Sequence, residues 1–87
     1  MCTMIAEKID LSGSGKGQAA WFTLDKAYVS YDHTQHAPLE HALNIDFVCE
    51  ADGPSARLAV ELTVDSARRL VASIEAALLR AAEVDAL

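Results

Sequence analysis

Apolar and polar positions alternate through the first two thirds of the chain, and the spacing changes to threes and fours near its end. Thr3, Ile5, Glu7, Ile9 and Leu11 alternate with Cys2, Met4, Ala6, Lys8 and Asp10. This period-two pattern, with apolar members on both faces, predicts a strand. Ser12-Gly13-Ser14-Gly15-Lys16-Gly17 reads as a flexible turn that ends the strand and reverses the chain. Ala20 to Tyr31 is rich in aromatic and β-branched residues, and its alternation changes phase around Asp25-Lys26, which predicts a bulge or short break there.

Leu43, Ile45, Phe47 and Cys49 alternate with Asn44, Asp46, Val48 and Glu50 in the clearest half-buried strand of the chain. Ala51-Asp52-Gly53-Pro54-Ser55 follows as a tight reversal. Leu58, Val60 and Leu62 then alternate with Arg57, Ala59 and Glu61 in a fourth strand. After Thr63 the period becomes helical, with Ala67, Leu70, Val71, Ile74, Ala77, Leu78 and Ala81 on one stripe. Thr63 is the expected N-cap, Asp65 suits the positive helix end and Arg80 the negative one.

These elements predict an α+β fold: a four-stranded, mostly antiparallel sheet in a β-meander, with one C-terminal amphipathic helix packed on a face. At 87 residues the chain is read as one domain spanning 1–87. So short a chain has little core, and its 52% apolar content exceeds what a small sphere can hide. A homodimer is therefore expected. Its interface is read either as the second sheet face, where Val48 and several aromatics are placed, or as the Ala-rich helix.

A net charge of -6, with seven scattered basic residues, argues against nucleic acid as a partner. No basic-then-apolar leader opens the chain and no apolar stretch approaches the roughly 20 residues of a bilayer span, so no membrane partner is expected and a cytoplasmic location is. Cys2 and Cys49 are accordingly read as reduced thiols, Cys49 as a buried core residue.

All three histidines, His33, His36 and His41, fall in the loop between strands two and three. Imidazole is a common ligand for zinc, iron and copper, and Asp32 and Glu40 stand beside two of the rings. A turn near residues 12 to 19 would pair Leu11 with Ala20 and bring Cys2 opposite Val29 or Ser30, beside this loop. The leading expectation is thus one mixed metal site of Cys2, His33, His36 and His41. It makes the chain a small metal-binding protein, and a metalloenzyme acting on a small-molecule substrate if a coordination position stays open.

Other readings of these residues stay open. The histidines can be solvated or can bond turn carbonyls, which leaves a metal-free homodimeric interaction or small-ligand-binding module. They can also do acid–base work, or pair with a Cys2 thiolate in a cofactorless enzyme, so whether the chain is an enzyme is undecided. Gly13 to Gly17 superficially resembles a phosphate loop but lacks the following helix. Trp21, Phe22, Tyr28 and Tyr31 read as core before they read as a stacking platform, and Arg68-Arg69 as solvated helix surface.

The opening Met1-Cys2-Thr3-Met4-Ile5-Ala6-Glu7-Lys8-Ile9 and the central Tyr31-Asp32-His33, then His36-Ala37-Pro38-Leu39-Glu40-His41-Ala42-Leu43-Asn44-Ile45-Asp46-Phe47, resemble a family of short uncharacterised actinobacterial proteins. The resemblance covers nearly the whole chain. It implies a host group and a cytosolic setting, and it assigns no catalytic residue.

Overall fold

Four strands, β1 (Ile5–Lys16), β2 (Trp21–Asp32), β3 (Ala42–Val48) and β4 (Arg57–Leu62), precede one helix, α1 (Val64–Asp85). They are seen in a computed structural model, which describes residues 5–53 and 56–85. All three strand pairs are antiparallel, and the sheet order is β1-β2-β3-β4. The expected meander with a C-terminal helix is the architecture found.

The first hairpin turns later than the glycines suggest. Ser12 to Lys16 stay in β1, which pairs with β2 out to Lys16 opposite Trp21. The reversal falls between Gly17 and Ala20, where Gly17 N–H donates to the Ala20 carbonyl at 2.8 Å. Gly15 serves close packing instead: a Cβ there would meet a Leu24 methyl at 3.3 Å. Ile5 therefore lies opposite Tyr31, five positions from the register that a turn at residues 12–19 would set. The phase break at Asp25-Lys26 is real, but the extra residue is in β1. Asp10 pairs with Lys26 and Gly13 with Leu24, so Leu11 and Ser12 together oppose Asp25 in a bulge.

Directly opposed residues share a face, and the register sorts the sheet cleanly. Rows such as Ile9–Ala27–Phe47–Leu58 and Val29–Ile45–Val60 form an apolar face. Rows such as Ser30–Asn44–Glu61, Lys8–Tyr28–Asp46–Ala59 and Asp10–Lys26–Val48–Arg57 form the other. That second face is polar, unlike the apolar surface expected there. Lys26 pairs with Asp10 at 2.8 Å, Arg57 with Asp46 at 2.8 Å, and Tyr28 donates its hydroxyl proton to Glu50. Trp21 and Phe22 stand on the part of the β1–β2 ribbon that extends past β3.

Between β3 and β4 the chain makes a short 3-10 turn, Glu50–Asp52, closed by Gly53 at φ 84°. Cys49 N–H donates to the Ala56 carbonyl at 3.1 Å, which completes the connection. The helix starts as expected: Thr63 Oγ1 accepts the Ser66 N–H at 3.1 Å.

The helix approaches the sheet at β3 and β4, but it does not close the core. No residue of α1 is buried. The buried apolar residues are the small Ala27, Ala42, Cys49 and Ala56, and among the described residues no large side chain is fully buried. A folded monomer of this mass exposes about 5,000 Å²; this chain exposes 6674 Å². Its radius of gyration is 14.7 Å, against about 12 Å for a closed domain of this length.

Candidate functional site

The β2–β3 loop, residues 33–41, is held mainly by one carboxylate. Glu61 on β4 accepts the backbone N–H groups of Gln35, of His36 at 3.2 Å and of Ala37 at 2.8 Å. Successive N–H groups converging on one anion make a small nest, and the bonds from Ala37 and Gln35 hold the Glu61 carboxyl below the usual carboxylate range. Asp32 Oδ1 accepts the His33 N–H at 2.7 Å, and Thr34 Oγ1 lies 2.8 Å from the Ala37 carbonyl and 2.9 Å from that of Leu39. The loop is ordered by Glu61 together with polar groups of its own.

That order places two histidines against each other. His33 Nδ1 is 3.2 Å from the Glu40 carbonyl, and the His33 ring stacks on His41 with centroids 4.7 Å apart and planes inclined by 28°. His41 in turn stacks on Tyr31 at 5.6 Å. Imidazole lone pairs lie in the ring plane, so stacked rings carry them side by side and do not converge on one ion. His36 is fastened through its backbone to Glu61. Among the described residues no group of three or more His, Cys, Asp or Glu is arranged to hold a metal. The expectation of a small metal-binding protein is therefore corrected: of the expected zinc, iron or copper site of Cys2, His33, His36 and His41, the three described histidines form no metal-holding group. Cys2 itself lies outside the described residues.

On the polar face a groove of about 700 Å³ runs beneath the loop, lined among others by Asp32, His33, His36, Asn44, Arg57 and Glu61. Asn44 Nδ2 is 3.5 Å from the carbonyls of Asp32 and His33, while its Oδ1 is buried without a hydrogen-bond partner. His41 Nε2 is likewise buried and unpartnered. Reading the sequence alone misses Glu61 and Asn44, which both fall on polar positions of alternating strands. Their alternation places them on the polar face, but which loop that face meets depends on strand order.

On the opposite face lies an apolar groove of about 630 Å³. Its floor is Ile9, Ala27, Val29, Ile45 and Phe47, and its wall is the helix from Val64 to Ile74. Part of its lining is open to solvent, with Ile9 at 46% and Ile74 at 50% exposure. Cys49 is away from this groove, buried beside the 3-10 turn, and burial pushes its thiol up.

A β-meander with one covering helix, polar on one face and unclosed on the other, defines the class of protein. The chain belongs to a family of unknown function, DUF6295, whose model matches residues 1–86. None of the curated proteins and none of the solved structures matches it. Among the described residues no helix is long and apolar enough to cross a membrane.

Proposed function

We propose that the protein is a homodimeric interaction module whose apolar groove is closed by a second copy of the chain. The observation that carries this reading is the open core. Surface in excess of a closed monomer amounts to about 1,700 Å², well above the roughly 800 Å² per partner of a standard interface and within the range of obligate dimers. Large apolar residues such as Leu70, Val71, Ile74 and Leu78 are 44–61% exposed along one stripe of the helix. In a chain this small, hydrophobic burial within one protomer falls short of the entropy of ordering it, and a second copy supplies the missing cover.

The test is sedimentation of the full chain from low micromolar to submillimolar concentration, with thermal unfolding at each. A dimer is expected throughout, with stability rising by about 1.4 kcal/mol per tenfold increase in concentration. Ile74→Glu, which puts a charge in the groove, is expected to yield monomer or unfolded chain. A wild-type monomer with concentration-independent unfolding would overturn the reading.

A second reading concerns the polar groove, and the unpartnered Asn44 Oδ1 favours it. We propose that this groove, which dimerisation leaves open, binds a small polar ligand that donates a hydrogen bond to Asn44. The carboxylates of Asp32, Asp46 and Glu61 against the single Arg57 favour a neutral or cationic donor such as an amine or polyol. A thermal-shift screen of small amines and polyols is expected to find stabilisers whose effect disappears in Asn44→Leu. The free, buried Cys49 thiol and the acidic surface suit work in a reducing cytoplasm.

A further inference from the structure

The half of the apolar face that the helix leaves uncovered determines how a second copy docks. Four strands span about 19 Å at about 4.8 Å each, and one helix covers about 10 Å of that width. The helix of the same chain approaches β3 and β4. The strip over β1 and β2, with Ile9, Leu11 and Val29, is therefore one helix wide and without a helix of its own.

That strip carries a carboxylate at its edge. Glu7 is directly opposite Val29, which is opposite Ile45, so Glu7 sits on the apolar face at the edge of the sheet. The cation that lines the apolar groove on this face is Arg68, on the helix. Neither is in an ion pair among the described residues.

Heights along the strands match these two residues. The row Glu7–Val29–Ile45–Val60 lies two residues below Leu62, the last residue of β4, or about 7 Å. The helix begins at Val64 and runs back along the groove, so Arg68 lies four residues in, or about 6 Å. A two-fold axis parallel to the helices, in the layer between two facing sheets, exchanges the sheets and preserves these heights. Each sheet then carries its own helix over β3–β4 and the other copy's helix over β1–β2.

We infer that the second copy docks by laying its helix over β1 and β2, with Arg68 of each protomer paired to Glu7 of the other. This rests on the homodimer reading above and specifies its interface. The two apolar layers exclude water, and the two symmetry-related ion pairs set the register of one helix against the facing sheet. Arg69, one residue further along the helix, points about 100° away and takes no part.

The experiment is sedimentation equilibrium at low ionic strength on the full-length wild type, Glu7→Arg, Arg68→Glu, the double variant and Arg69→Glu, with circular dichroism confirming that each folds. Each single substitution at Glu7 or Arg68 is expected to weaken the dimer about tenfold or more, and the double variant to return to within about threefold of wild type. Arg69→Glu is expected to leave the dimer constant unchanged. A wild-type dimer in which the double variant is no tighter than the singles would overturn this arrangement and leave the homodimer standing. A wild-type monomer would overturn both.

Discussion

The carboxylate of Glu61 accepts the backbone N–H of Ala37 at 2.8 Å, tying the histidine loop to a strand 24 residues further along the chain. With the bonds from Gln35 and His36, this contact makes the loop an ordered wall of the polar groove.

Glu61→Gln is expected to loosen the loop without unfolding the sheet. A hydrogen bond to a charged group is stronger than one to a neutral amide, so amide exchange at His36 and Ala37 should accelerate about tenfold. Because the folded carboxyl titrates below its unfolded value, its stabilisation is present above the ordinary carboxylate range and is lost as pH falls through the folded value. Wild type should lose loop protection in that acid window while Glu61→Gln shows no such step. Identical pH profiles for the two proteins would contradict the latch.

His41 stacks between Tyr31 and His33 but buries an unpartnered Nε2. Phenylalanine keeps the stacking and removes the orphaned nitrogen. His41→Phe is expected to raise stability by about 1 kcal/mol in urea unfolding. Destabilisation would show that His41 has a polar partner that matters.

Gly53 has φ 84°, and a Cβ added there would meet nothing within 4 Å, so any cost of a side chain is backbone strain alone. Gly53→Ala should destabilise by about 1–2 kcal/mol. Gly13→Ala, also in open space but without positive φ, should be near neutral by the same assay.

The Thr63 hydroxyl accepts the Ser66 N–H at 3.1 Å at the start of a helix with no buried residue. Thr63→Ala should cost about 1 kcal/mol. If the helix is completed by a second copy, that loss should also weaken the dimer, which sedimentation would register.

Cys49 is 6% exposed and its thiol is raised by burial. In a Cys2→Ser background, alkylation at neutral pH should be slow in native protein and fast in urea. Rapid native labelling would mean that the β3–β4 connection opens readily.

Much of the fold is legible in the sequence because alternation and helical spacing are local properties. The span of β4 from Arg57 to Leu62, the helix after Thr63 and its cap, and the buried Cys49 all follow from neighbours within a few residues. The first turn is not legible in the same way, because glycine marks a reversal and a closely packed strand equally well, and only the presence of Leu24 against Gly15 distinguishes them. Placing the turn at the glycines moves the β1–β2 register by five positions.

By itself the sequence determined the α+β class, the order of elements and the surplus of apolar surface, since each depends on periodicity and composition. Tertiary structure alone decided which strand faces meet which loop, and hence that Glu61 latches the histidine loop. It also decided where the apolar surplus lies, on one sheet face beside an unburied helix. Those outcomes depend on strand register and on the balance of helix width against sheet width, quantities that no local pattern of residues contains.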